Sequence, residues 1–558
     1  MKRHVRDNYY VLGEGILKAG EKGEPVRERP STIASLRKFR FSRIGPKGVV
    51  PSRELNKALA DAMTATGRQP DSAAPTIPAG YTYLGQFVDH DLTKDRTDKE
   101  IGDAVTVEEL VQGRSPSLDL DSLYGRGPTI DSKFYRDDVH LKMGTTVATP
   151  FPDPGTNVNM DGFDLPRVGV GSKISERRAP QIPDERNDEN LAVAQTHLAF
   201  IRFHNRVVDV LAPHTPTVML FPTVRDTVVK HYQWMLRHDF LPRIVDSAVV
   251  DDVFTNGRRV FEVPHTSNGN GSSHYANEYM RIYAGDRPTM PIEFSIAAFR
   301  FGHSMIRGAY HWNRVFNGSG PGGIATLEQL FQFSGTSGVL SPTPISDPES
   351  GANETLPSNW IADFRRLYDF AEVGRSDLVP PAGQSNDTKL LDTLLVDPLK
   401  NLPVGSFGGR GKPAPPVDEL NLAFRNLVRA GMVELASGQQ MAELMGFTPL
   451  TEDEIVTGSG AGADLSGLAP GVRADLVADT PLWFYILREA ELNGGRLTGV
   501  GGRIVAEVFH RAMEGSRSSI VRDPAWRPTL IDGDRFNMTD LLLFAFEGRA
   551  DLLNPLGD

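Results

Sequence analysis

The chain has 558 residues, 39% hydrophobic and 23% charged, with a formal net charge of -11 at pH 7, an ordinary globular composition long enough for an extensive core. The acidic balance leaves no basic stripe to neutralise phosphates, which excludes nucleic acid as the main partner, and no run of eighteen apolar residues is present to span a membrane. There is no cysteine, so disulfides, thiolate metal sites and cysteine nucleophiles are excluded, and a catalytic metal must sit on His, Asp or Glu or arrive inside a cofactor.

Residues 1–34 read as a poorly anchored N-terminal arm, and the polar start at His4, Arg6 and Asp7 lacks the apolar stretch of a secretory signal. The segment Tyr83-Leu84-Gly85-Gln86-Phe87-Val88-Asp89-His90-Asp91-Leu92 gathers an imidazole, two carboxylates and an amide among apolar side chains. As a helix it places Gln86 and His90 on one face, an arrangement for chemistry or for ligation. In Ser115-Pro116-Ser117-Leu118-Asp119-Leu120-Asp121 oxygen-bearing residues recur at every second position; this is either a calcium-binding loop, with Asp91 as the outside ligand, or a solvated polar turn. Helical periodicity covers Asn190 to Leu211 and Val224 to Val245, and His197 and His204 on the first read as core or capping imidazoles.

Gly, Pro, Asn and Ser cluster in expected loops at Thr266 to Ser273, Asn317 to Gly323 and Gly405 to Pro416. Between the first two lies Ala298-Phe299-Arg300-Phe301-Gly302-His303-Ser304-Met305-Ile306-Arg307. His303 there is either a satisfied core histidine or the neighbour of a flat cofactor lying in the space that Gly302 spares. Patchier helical patterning follows at Leu420 to Met445 and Pro481 to Glu491, separated by a small-residue loop, Gly458 to Gly467. Gly405 to Lys412 lacks P-loop spacing, and Gly499-Val500-Gly501-Gly502 lacks the third glycine of a dinucleotide fingerprint; both read as turns. Strand-like alternation is scarce, so the expected fold is mainly α with very little β.

Taken together these segments resemble the animal-type haem peroxidases of the peroxidase-cyclooxygenase superfamily, and Thr480-Pro481-Leu482-Trp483-Phe484-Tyr485 through Gly501-Gly502-Arg503-Ile504-Val505-Ala506-Glu507 is similar to bacterial members especially. Gly85 to Leu92 resembles the family's distal helix. Ser115 to Gly125 is similar to its calcium loop, and Asp184-Glu185-Arg186-Asn187-Asp188-Glu189 to its catalytic-arginine segment. Phe299 to His303 resembles the proximal helix, and Arg425-Asn426-Leu427-Val428-Arg429 the segment that partners it. The resemblance covers residues 35–530, implying one large helical haem-peroxidase domain with long loops, followed by a C-terminal segment, 531–558, packed on or extending it.

The resemblance implies a role for each matching residue. His90 would be the distal base, Arg186 would stabilise negative charge as the O–O bond breaks, and Gln86 would help place peroxide, water or a halide. His303 would ligate the haem iron and donate its other ring proton to the Asn426 oxygen, while Arg429 would meet a haem propionate. Asp89 and Glu189 stand where mammalian members ester-link the haem, so the cofactor is haem b or an ester-linked derivative. Asn190 replaces the methionine that forms a sulfonium bond in myeloperoxidase, which implies no such link and puts efficient chloride oxidation in doubt. Calcium would be held by Asp91, Ser115, the Ser117 carbonyl, Asp119 and Asp121.

The activity so implied is reduction of hydrogen peroxide through a ferryl intermediate and oxidation of small anions (bromide, iodide, thiocyanate) or phenolic donors. One rival is a fatty-acid dioxygenase of the same superfamily. Those enzymes carry a radical-forming tyrosine three residues before the proximal histidine, where this chain has Arg300, which cannot form that radical. A second rival is a haem-bearing binding or adhesion protein with incidental activity. Oligomeric state and location leave no signature in the sequence.

Overall fold

The longest run of helical periodicity becomes the centre of the molecule. In the structure, a computed structural model, Leu191–Leu211 is one helix with nearly every side chain buried, from Leu191 through Phe200 to Val208. By helix geometry it is about 31 Å long. Helices Gly80–Leu92, Thr217–Met235 and Met538–Ala545 pack around it. The description covers residues 8–11, 15–19, 25–28, 39–65, 77–97, 99–264, 281–282, 287–340, 353–403 and 415–558. The loops expected at Thr266 to Ser273 and over most of Gly405 to Pro416 lie outside these residues.

The periodic segments form helices whose ends follow local chemistry. Leu191–Leu211 begins one residue after its cap, Asn190, whose side chain accepts from Val193 N at 2.9 Å. The helix expected over Val224 to Val245 starts earlier, at Thr217, and passes through a π-helical turn, Leu236–Phe240, before ending with Leu241–Ile244. Leu420 to Met445 is two helices, Leu422–Met432 and Gly438–Met445. The break has a cause: Glu434 adopts a left-handed φ of 48°, and Ser437 caps the second helix in a capping box with Gln440.

One expectation is overturned. Gly499-Val500-Gly501-Gly502 is not a turn but the first turn of the helix Gly499–Gly515. Its glycines serve close approach: a Cβ on Gly501 would lie 2.4 Å from Ile486 Cγ2 of the neighbouring helix Leu482–Leu492. The buried Glu489 carboxylate accepts from Val500 N and Gly501 N at 3.2 Å each, supplying the cap that the sequence around Thr498 does not.

Strand is sparse, with 47% helix against 7% strand. Within the segment expected as an arm, Asn8–Val11, Gly15–Ala19 and Pro25–Glu28 form an antiparallel meander whose first strand also pairs with Val111–Gln112, Tyr10 opposite Gln112. The remaining sheets are two-stranded. Among the described residues no helix is long and apolar enough to cross a membrane.

Candidate active site

The helix Gly80–Leu92 carries Gln86 and His90 one turn apart, and it buries Tyr81, Tyr83, Leu84, Phe87, Val88 and Leu92. Phe87 stacks on Phe200 of the central helix with ring centroids 4.4 Å apart, so apolar packing sets the rotation of the helix and hence the direction of His90. Thr93 ends the helix, its hydroxyl donating to Asp89 O and Asp89 Oδ1 at 3.1 Å. Burial, reinforced by the Arg186 charge, lowers the His90 pKa to about 3, leaving a neutral imidazole at pH 7. Its Nδ1 lies 2.8 Å from Asn187 Oδ1. An amide oxygen only accepts, so the proton sits on Nδ1 and Nε2 keeps its lone pair. Nε2 has no hydrogen-bond partner among the described residues; Glu189 Oε1 stands 3.6 Å from it.

Two caps build the segment facing His90. Asp184 accepts from Arg186 N and opens the 3-10 turn Glu185–Asp188, and Asn190 opens the central helix. Arg186, Asn187 and Glu189 are presented between them. Arg186 Nε donates to Asp184 Oδ1 at 3.0 Å, and its Nη2 donates to Asp184 Oδ2, His90 O and Thr93 O at 2.8, 3.1 and 2.6 Å. Its Nη1 has no hydrogen-bond partner among the described residues. Burial opposes the charge on Asp184, but the guanidiniums of Arg114 and Arg186 outweigh it and hold the carboxyl well below the usual range. Gln86 Nε2 donates to Glu189 Oε1 at 2.6 Å, and Asn190 Nδ2 donates to Gln86 Oε1 at 2.8 Å. Burial raises the pKa of Asp89, and that of Glu189 to about 7, in each case against the pull of Arg186.

His303 lies on the last of three consecutive helical turns, Glu293–Ala297, Ala298–Phe301 and Gly302–Met305, and this last turn touches the helix that carries His90. A Cβ on Gly302 would meet no atom within 4 Å, so there is space beside the imidazole. The pairing with Asn426 is present at 2.9 Å but with the amide turned the other way from the sequence expectation: Asn426 Nδ2 faces His303 Nδ1. Arg300 is the reason, because its Nη1 donates to Asn426 Oδ1 at 3.0 Å and leaves the amide nitrogen for the histidine. His303 Nε2 has no hydrogen-bond partner among the described residues. Burial, then the charges of Arg429 and Arg425, press the Arg300 pKa down to about 10, with Asp89 opposing them. The guanidinium of Arg300 is therefore felt by two others, those of Arg429 and Arg425.

Asp91, Asp119 and Asp121 are buried, and one oxygen of each lies within 4.8 Å of the others. Asp91 anchors the loop by accepting from Leu120 N at 3.1 Å and Ser122 N at 3.2 Å. Ser115 N donates to Asp121 Oδ2 at 3.2 Å, and the Ser117 carbonyl accepts from Asp119 N at 2.8 Å. Both Asp119 oxygens and Ser117 Oγ are buried without a hydrogen bond. Leu120 holds a left-handed φ of 57° between the two acids, a conformation that costs a branched residue about 1 kcal/mol and turns both carboxylates to one side.

Residues 86–333 match the family model described as animal haem peroxidase. This stretch is similar to the animal haem peroxidases. A peroxidase-like protein of Margaritifera margaritifera is 28% identical over 161 residues, 28% of this chain, and that match spans only 17% of the relative's length. In fold the chain is similar to peroxidase A of Dictyostelium discoideum, with TM-score 0.55, 14% identity and coverage of 98% of this chain and 97% of that one. It is also similar to a fatty acid alpha-dioxygenase of Arabidopsis thaliana, with TM-score 0.52, 14% identity and coverage of 93% and 76%. The match to this family implies haem binding. The residues fit the group: two imidazoles whose Nε2 atoms have no hydrogen-bond partner among the described residues, on adjoining elements, the space beside Gly302, and neighbouring guanidiniums suited to carboxylates.

Sequence reasoning missed the supports of this site. Asn187 and Asn190 lie inside a recognised motif but carry no spacing signal for the side chains they hold. His197, read as a core imidazole, is hydrogen-bonded to Asn187. His204 is structural, bonding Tyr124 Oη and the Val139 carbonyl.

Proposed function

We propose that the chain is a haem peroxidase that reduces hydrogen peroxide and oxidises small anions (bromide, iodide, thiocyanate) or phenolic donors. The observation that carries this reading is the pairing of a neutral His90, protonated on Nδ1, with an Arg186 whose Nη1 remains available. Haem, held by His303, supplies the redox chemistry of O–O cleavage. His90 Nε2 takes the proton of the bound peroxide and returns it to the leaving oxygen, and Arg186 Nη1 stabilises the negative charge developing there. Gln86, oriented by Asn190 and with one amide N–H engaged by Glu189, presents its other N–H to peroxide, water or halide. Arg429, with Arg300, is assigned to the haem propionates. Asp89 and Glu189 are the candidate points of ester attachment. Asp91, Ser115, Ser117, Asp119 and Asp121 are assigned to calcium, which fits because the bare Asp119 oxygens need a cation.

Spectra of the haem-loaded protein before and after one equivalent of peroxide, then with bromide, thiocyanate or a phenol, test the assignment. His303→Ala should lose haem. His90→Ala should keep it and react with peroxide more slowly by a factor on the order of 10² to 10⁴. Full turnover in both variants would remove these residues from the site. The fatty acid dioxygenase neighbour makes oxygen uptake with a fatty acid the control; Arg300, at the place of the radical tyrosine, predicts none.

A further inference from the structure

A distal base works only if its cavity-facing nitrogen is unprotonated, and in His90 that depends on a second residue. Asn187 is fully buried, as is His197, so neither amide nor imidazole has water to correct a mismatch. Asn187 Oδ1 accepts from His90 Nδ1 at 2.8 Å, and Asn187 Nδ2 donates to His197 Nδ1 at 2.9 Å. If the amide turned over, its N–H would meet His90 Nδ1 and force the proton onto Nε2, abolishing the base. His197 sits edge-on to Phe87, ring centroids 5.7 Å apart, in the helix turn that also packs Phe200 against Phe87. Its ring is thus fixed by the same aromatic contacts that set the direction of His90.

We infer that Asn187 and His197 are positioning residues for His90: Asn187 holds the ring proton on Nδ1 so that Nε2 stays basic, and His197 keeps the Asn187 amide from turning over. This inference rests on the peroxidase reading for the role of Nε2, and on the two hydrogen bonds alone for the tautomer. Neither residue touches the reacting atoms.

Cyanide association with the haem-loaded full chain reads the base without turnover, because hydrogen cyanide must give up its proton to bind. Asn187→Leu should slow association roughly tenfold or more, in the range seen when the partner of a functional histidine is removed, with haem content and melting temperature retained. Asn187→Asp, which keeps an acceptor toward His90, should recover most of the rate. His197→Phe should slow association and His197→Gln, which restores an acceptor for the amide, should rescue it; this pair carries the test if Asn187→Leu does not fold. A wild-type rate in Asn187→Leu, or no rescue by His197→Gln, overturns the inference. Failure of the wild type itself to react with peroxide would overturn the peroxidase reading instead. In that case ¹⁵N spectra of labelled histidine still decide the tautomer: an Nδ1–H signal that His90→Ala removes supports it, and an Nε2–H signal removed by that same substitution refutes it.

Discussion

Asp119 carries two buried oxygens that no hydrogen bond reaches. A lone carboxylate in that state costs several kcal/mol, and two further acids lie within 4.8 Å, so the loop asks for a cation. Calcium should therefore raise the melting temperature of the wild type, by the equivalent of about 2.7 kcal/mol at a hundredfold excess over its Kd, and Asp119→Asn should abolish most of that gain. Identical melting of the wild type in calcium and after exhaustive chelation would reduce the loop to a polar turn. Period-two spacing made these oxygens legible in the sequence, whereas the left-handed Leu120 that turns them inward was not. Asn190 shows the opposite limit. Its sequence context says what it cannot do, which is form a sulfonium bond. Only the structure shows what it does, capping a helix with its oxygen and orienting Gln86 with its nitrogen.

Among the elements, the helix Gly499–Gly515 depends on a residue from outside it. Burial raises the Glu489 pKa from an ordinary 4.5 to about 8, against the two backbone N–H donors it caps. A raised carboxyl pKa means that the folded protein holds a proton which the unfolded chain releases. The contribution to stability is present at low pH and is lost as pH rises from about 4.5 through about 8. Glu489→Gln has no such proton, so the melting temperature of the wild type should fall relative to the variant by a few degrees across that window. Parallel melting curves from pH 5 to pH 9 would show that Glu489 does not titrate in that range. Helix existence was legible here from periodicity, but helix starts were legible only where the cap is adjacent, as at Asn190. Glu489 caps donors eleven and twelve residues away in sequence, which no local pattern announces.

At the scale of the molecule, the C-terminal segment completes the core. Phe536, Met538, Leu541, Leu542, Phe546 and Leu553 are each at most 1% exposed, and Met538 N donates to Asp239 Oδ2 at 2.8 Å across the fold. At about 1.5–3 kcal/mol for each buried large apolar side chain, their combined burial is comparable with the whole net stability of a domain, about 5–15 kcal/mol. A chain ending at residue 530 should fail to give a cooperative thermal transition. Normal melting and haem uptake by that truncated chain would make the segment an appendage rather than part of the core.

Periodicity by itself determined the class of fold, and the resemblance to the haem peroxidases singled out the five motif segments with His90, Arg186 and His303 in them, because periodicity and short motifs are properties of neighbouring residues. The tertiary structure decided how those groups are poised: which nitrogen of His90 bears the proton, which end of the Asn426 amide meets His303, and which guanidinium nitrogen of Arg186 stays available. Each depends on a contact between groups far apart in the chain: Asn187 with His90 for the first, Arg300 with Asn426 for the second, and the carbonyls of His90 and Thr93, beside the nearby Asp184, with Arg186 for the third. A hydrogen bond between distant residues exists only once packing has brought them together in the absence of water.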